Sequence, residues 1–437
     1  MNGFSYRGGE LFAEDVAVAE IAAATGTPVY IYSAGAVRDR FRVYREAFAG
    51  LPALFCYAVK ANPNLAVIRL LAEEGAGADT VSGGEIERAL AAGVPPSRIV
   101  FAGIAKTDEE MRLGLRYGIL QFNVESLEEL ERLSAVATEA GLTAPIGIRV
   151  NPDVAAGSHE KIRTGRRGDK FGVPIGEAME AYARAMALPG ITPVGVHLHI
   201  GSQITSLAPF TRAYRRGVGL WRELRAQGVP VSRIDFGGGF GIRYRDETPL
   251  EPRAIAALVR ELLAGEDCRL VFEPGRALVG DAGMLASRVI YRKETGEGRF
   301  LVVDAGMQTL LRPALYDAWH EILPVREPSA ETPLLVMDVV GPICESSDIL
   351  GRARRLPPLS RGDLVAVAAA GAYGATMVSN YNSRPRPAEV LVDGGRWAVI
   401  KPRVEPSAQF ADEVVPSWLE GPEVRDRVTG SHSHAGD

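Results

Sequence analysis

From about residue 53 to residue 275 the chain alternates short apolar runs with longer stretches of helical period, and turn residues separate the two. Eight such runs can be counted: ALFCYAV ending at Val59, GADTV at Val81, RIVFAG at Gly103, ILQFNV at Val124, IGIRV at Val150, VGVHLHI at Ile200, RIDFGGG at Gly239 and RLVFEPG at Gly275. Most are too hydrophobic for a sheet with one face in water. The intervening segments start as helices do. Thr107 to Glu110 and Ser82 to Glu85 have capping-box spacing, and Glu125 to Gly141 carries Leu127, Leu130 and Leu133 at helical intervals before a terminal glycine. Eight such units predict an α/β fold, a closed (β/α)8 TIM-like barrel, whose active site lies where the strands end at their C-termini. The strand ends carry an unusually polar set: Lys60, Ser82, Asn151, His199, the GGGFG run and Glu273.

Outside this block the pattern changes. From about Met284 come the strand-like runs MLASRVIY, RFLVVDA, LLVMDVVG, LVAVAAAG, AEVLVDG and RWAVIKP, with Pro-rich loops and no regular helix between them. They predict a C-terminal mainly-β domain, a sandwich or barrel. The early segment TPVYIYS could add a strand to it, so that residues 1–34 and 281–437 form one discontinuous domain around a barrel of residues 35–280. The terminal SHSHAGD reads as frayed polar sequence rather than a metal site.

Composition narrows the partner. With 437 residues, 46% of them hydrophobic, the chain can bury a large core of two or three domains. A net charge of -5 without a basic cluster argues against nucleic acid, which leaves a small molecule. The N-terminus lacks a basic segment followed by an apolar one, and no apolar stretch reaches membrane-spanning length, so a cytoplasmic protein without a membrane partner is expected. Cys56, Cys268 and Cys344 are odd in number and far apart, which disfavours both a disulfide framework and a clustered metal site.

Lys60 carries the strongest chemical signal. Only 6 of the 49 basic residues are lysine, so the chain uses arginine almost wherever a plain positive charge suffices. A Schiff base needs an amine that can lose its proton, which guanidinium cannot do. A lysine closing an apolar strand, with its pKa lowered by desolvation, suits that chemistry, although a strand-end lysine can also simply snorkel. Gly237, Gly238 and Gly239 follow the seventh run, where barrels bind phosphate, and they could equally make a tight turn. Glu273 could keep a pyridine nitrogen protonated or pair with Arg276. His199 could lie on a cofactor ring and Ser202 could bind phosphate, whereas His197, two residues earlier on the same face, reads as a satisfied core histidine.

Longer motifs bind these observations together. FCYAVKANPN around Lys60, GIRVNPDVAAGSHEKIRTGRRGDKFG from Gly147, HLHIGSQI from His197, DFGGGFG from Asp235, FEPGR from Phe272, RPALYDAWH from Arg312, GPICESSDIL from Gly341 and GAYGATMVSNYNSRPRPAEVLV from Gly371 run in order over nearly the whole chain. The chain resembles the diaminopimelate decarboxylases, fold-type III pyridoxal-phosphate enzymes with an alanine racemase-like barrel that catalyse the last step of lysine synthesis.

The resemblance implies pyridoxal 5′-phosphate as cofactor and a division of labour. Lys60 would hold the cofactor covalently, His199 would stack on its ring and Glu273 would face its ring nitrogen. Ser202, the backbone of Gly237, Gly238, Gly239 and Gly275, Arg276 and Tyr373 would gather the phosphate and nearby groups. Cys344 would return the proton after CO2 leaves. Arg276, Arg312 and Tyr316 would grip the distal carboxylate of an amino-acid substrate, with Glu345 on the distal ammonium and Tyr373 close by. An arginine aimed at a purely cationic tail would repel it, so Arg312 favours a substrate with an amino-acid head at both ends, unless it makes a surface ion pair. The resemblance also implies a homodimer in which the β domain, with Cys344, Glu345 and Tyr373, completes the partner's barrel site. Decarboxylases of related substrates (a carrier-bound glutamyl group, carboxynorspermidine, ornithine or arginine), an amino-acid racemase and a non-catalytic regulatory homologue remain as alternatives.

Overall fold

The computed structural model describes residues 3–155, 170–296 and 298–419. The HEKIRTG motif and the SHSHAGD tail lie outside the described residues.

All eight apolar runs form strands: Ala53–Ala58, Gly77–Thr80, Ile99–Phe101, Gln121–Val124, Ala144–Asn151, Ile191–His197, Arg233–Asp235 and Arg269–Phe272. Each pairs in parallel with the next, and the eighth pairs with the first, so the sheet closes on itself. Closure leaves no edge and buries both faces, as the apolar runs require. A two-residue strand, Val173–Pro174, lies against the outer end of the fifth strand.

The helix starts follow their local chemistry. Thr107 makes a full capping box with Glu110 at the head of helix Asp108–Tyr117. The Ser82 side chain likewise accepts from the Glu85 amide at 3.2 Å, but the Glu85 carboxylate reaches back to the amide of Val81 rather than to that of Ser82. Ser82 is therefore a helix cap, not a pocket residue.

The second sheet is centred on the long strand Gly283–Glu294, which pairs antiparallel with Val29–Ser33, Arg299–Val303 and Leu364–Val367. Val29–Ser33 is the TPVYIYS segment, and it also pairs in parallel with Ala388–Asp393. Further strands went unread in the sequence. Phe4–Arg7, Glu10–Ala13 and Val16–Ala17 form a small antiparallel meander, and Ile349–Leu356 pairs with Leu335–Val340. The second sheet closes over the barrel mouth of its own chain. The Tyr373 amide donates to the Ala61 carbonyl at 2.8 Å, and Asn62 Nδ2 donates to the Gly371 carbonyl at 3.2 Å. No helix among the described residues is long and apolar enough to cross a membrane.

Candidate active site

Lys60 lies in the short turn Val59–Ala61 directly after the first barrel strand. Its Nζ donates to Asp79 Oδ2 at 2.7 Å, and Asp79 Oδ1 has no hydrogen-bond partner. The expected downward pKa shift is overturned. Burial does pull the Lys60 pKa down, but Asp79, Tyr373 and Glu273 outweigh it and hold the amine above its ordinary range. The lysine is protonated while it faces Asp79.

Glu273 follows the eighth strand and is 3% exposed. It does not pair with Arg276. Its Oε1 accepts from Asn123 Nδ2 at 3.2 Å, and its Oε2 lies 3.3 Å from His197 Nε2. Burial, with Asp79 nearby, raises its pKa. Burial pushes the His197 pKa down to about 4, so the ring is neutral and its Nε2–H donates to Glu273. The same Asn123 amide donates to Asp235 Oδ2 at 3.2 Å, and burial beside Glu273 raises the Asp235 pKa as well. A buried polar floor thus lies beneath the pocket.

Two of the three glycines use their amides within the protein. The Gly237 amide donates to Asp235 Oδ1 at 3.0 Å and the Gly238 amide to His199 Nδ1 at 3.3 Å. Because Nδ1 accepts there, the proton of the neutral His199 ring is on Nε2. Burial, Arg149, Lys60 and His197 all push the His199 pKa down. A Cβ on Gly238 would stand 2.1 Å from the Glu273 carbonyl oxygen, so this loop packs backbone to backbone against the eighth strand. Of the three, only Gly239 lines the pocket.

The pocket has a volume of about 200 Å³ and is lined by Lys60, His199, Ser202, Gly239, Glu273, Gly275, Arg276, Arg312, Tyr316 and Tyr373, among others. Arg276 donates to Tyr244 Oη at 2.6 Å and to Ser202 Oγ at 3.1 Å, and its guanidinium carbon lies 4.7 Å from the centre of the Tyr373 ring. Arg312 is not a surface ion pair, for it is only 6% exposed. Among the described residues no carboxylate forms a salt bridge with either arginine. Arg312, Tyr316 and Tyr373 come from the second domain of the same chain, so Tyr373 belongs to this chain's own pocket.

Cys344 and Glu345 do not line it. Cys344 is exposed, with its Sγ 3.6 Å from Asn382 Oδ1, and Glu345 accepts from Tyr381 Oη and from Ser347 Oγ.

Comparison with known proteins decides what this pocket belongs to. Residues 34–280 match the pyridoxal binding domain of the pyridoxal-dependent decarboxylases. The diaminopimelate decarboxylase of Pseudomonas aeruginosa is 50% identical over 413 residues, 94% of this chain and 99% of that one. The chain belongs to the diaminopimelate decarboxylase family. Another member, from Aquifex aeolicus, is 46% identical over 92% of this chain and 96% of its own. Among solved structures, the diaminopimelate decarboxylase of Helicobacter pylori complexed with L-lysine superposes with a TM-score of 0.87 at 40% identity, covering 90% of this chain and 98% of the other. The M. jannaschii diaminopimelate decarboxylase in co-complex with L-lysine gives 0.91 at 36% identity over 96% and 99%.

Membership in this family brings pyridoxal phosphate as cofactor, and the residues present fit it. Two buried guanidiniums without a carboxylate partner suit anionic groups. The unpartnered Arg276 Nε and Asp79 Oδ1 are buried polar atoms beside the pocket, and Glu273, a buried carboxyl group in the pocket lining, can accept from a ring N–H. Sequence reasoning missed Asp79, Asn123, Tyr244 and His320. Asp79 sits mid-strand in GADTV, where its alternation toward the barrel interior was the one available signal.

Proposed function

We propose that this chain decarboxylates meso-2,6-diaminopimelate to L-lysine and CO2, the last step of lysine synthesis, in the cytoplasm. The observation that carries the reading is the pairing of Arg312 with Arg276 in the pocket that holds Lys60. With Arg276 beside the phosphate-binding groups, a second buried cation is useless to a simple diamine tail but complements the carboxylate of a second amino-acid head.

Pyridoxal phosphate, when bound, supplies a conjugated electron sink for the pair left on the α-carbon as CO2 departs. Lys60 Nζ is the covalent anchor, and Asp79 holds its ammonium form in place beside the pocket. Glu273 holds a proton at the ring nitrogen, with Asn123 and His197 fixing its two oxygens. Ser202, Gly239, Gly275 and Arg276 bind the phosphate, Tyr373 flanks Arg276, and neutral His199 forms one wall. Arg312 and Tyr316 orient the distal carboxylate.

One role stays unfilled within a single chain. Replacing the lost carboxylate needs a proton donor, and the family resemblance assigns this to Cys344, with Glu345 on the distal ammonium. Both are exposed outside this pocket, which supports a two-fold homodimer in which they reach the partner's site. Incubation of the purified protein with pyridoxal phosphate and meso-diaminopimelate should release CO2 and L-lysine in equal amounts. A higher kcat/KM for ornithine or carboxynorspermidine would sink the assignment.

A further inference from the structure

The pocket's two guanidiniums repel each other, and neither is anchored by a carboxylate among the described residues. A long arginine side chain in that situation needs neutral groups to hold it. Arg276 has Tyr244 and Ser202. Arg312 has a different anchor: its Nη1 lies 2.7 Å from Nε2 of His320, eight residues on in the RPALYDAWH motif. Its guanidinium carbon also lies 4.5 Å from the centre of the Tyr244 ring.

His320 is fully buried, and its Nδ1 lies 2.8 Å from the carbonyl oxygen of Ala368. A carbonyl oxygen can only accept, so Nδ1 carries the hydrogen. The neutral ring then offers a lone pair at Nε2, to which the guanidinium donates. The opposite tautomer, or the charged ring, would set an N–H against an N–H. Burial and the Arg312 charge push the His320 pKa down to about 3, which keeps the ring neutral. Tyr244 stands edge-on to this ring, with 5.2 Å between centroids.

We propose that His320 is the positioning residue for Arg312, its tautomer set by the Ala368 carbonyl so that Nε2 fixes the guanidinium that reads the substrate's distal carboxylate. The proposal rests on the reading of Arg312 given above. It makes His320 a determinant of specificity that touches no substrate.

The test uses the holoenzyme and two equilibrium ligands. Decarboxylation removes one carboxylate of diaminopimelate, so L-lysine keeps the distal one and cadaverine has none. His320→Asn retains a donor toward Ala368 but removes the Nε2 acceptor, whereas His320→Gln returns an acceptor near the Nε2 position. By calorimetry, His320→Asn should weaken L-lysine binding about ten- to a hundredfold. Cadaverine affinity should not change, and His320→Gln should recover most of the loss. In turnover, KM for diaminopimelate should rise with little change in kcat. If His320→Asn fails to fold, His320→Leu removes the Nε2 acceptor, together with the donor toward Ala368, with a side chain of similar volume. Equal losses for L-lysine and cadaverine would show a merely structural role and overturn the proposal. Arg312→Ala separates the two layers. If it weakens L-lysine while the His320 deletions do not, His320 is not the anchor; if it leaves L-lysine binding intact, the reading of Arg312 itself fails.

Discussion

At the scale of single residues, charges in the pocket oppose what burial alone would do at Lys60 and reinforce it at Glu273. Lys60 keeps its proton because Asp79 is 2.7 Å away, while Glu273 gains affinity for a proton because burial and Asp79 act in the same direction. A buried carboxylate without a cationic partner gains most from a group that brings it a positively charged N–H. Glu273→Gln keeps the shape but gives up one of the two acceptors that face Asn123 and His197, and it removes the charge. It should leave cofactor binding, read from the cofactor's absorbance, largely intact. Decarboxylation should slow by about two orders of magnitude or more, the scale on which losing a transition-state electrostatic contact shows. Loss of cofactor with normal turnover per bound cofactor would make Glu273 a structural residue. Lys60, Glu273 and Arg276 were legible in the sequence because residue type and strand-end position coincide there. Asp79, Asn123 and His320 were not, because their partners are non-local: Asn123 meets Glu273 150 residues away, and the tautomer of His320 is set by Ala368.

At the scale of elements the barrel was readable and the second sheet only partly so. Eight strands buried on both faces announce themselves as apolar runs, whereas Ile349–Leu356 carries Arg352, Arg354 and Arg355 and reads as a polar loop until its partner strand is known. The N-terminal meander is hidden for the same reason, its strands being two to four residues long. The glycine run was legible as a special backbone, but its reason was only half read. Gly238 packs against the end of the eighth strand whether or not a phosphate is present, and a Cβ there meets backbone, which cannot move aside. Gly238→Ala should therefore destabilise the cofactor-free protein, by about 1–3 kcal/mol as overpacking usually costs, and lower its melting temperature. A variant whose cofactor-free melting is unchanged, with only phosphate affinity reduced, would return Gly238 to a pure anion cradle.

At the scale of the whole molecule the second domain carries two sets of candidate residues. Tyr373, Arg312 and Tyr316 line the pocket of their own chain, while Cys344 and Glu345 stand exposed and are absent from its lining. If those two residues serve a partner's pocket in a two-fold dimer, each site combines Lys60 of one protomer with Cys344 of the other. The two residues can then be inactivated on separate chains. Lys60→Ala and Cys344→Ala homodimers should each be nearly inactive, since every site in either lacks one residue. In a heterodimer of the two variants, one site loses both residues and the other keeps both. Random exchange of equal amounts makes half of the dimers mixed, so about a quarter of wild-type activity should return, as the arithmetic of a two-fold assembly requires. Subunit exchange is verified separately by mass-tagging one variant. If fully exchanged mixtures stay as inactive as their parents, each pocket works within one chain, and the proton donor must be sought among the residues that already line it.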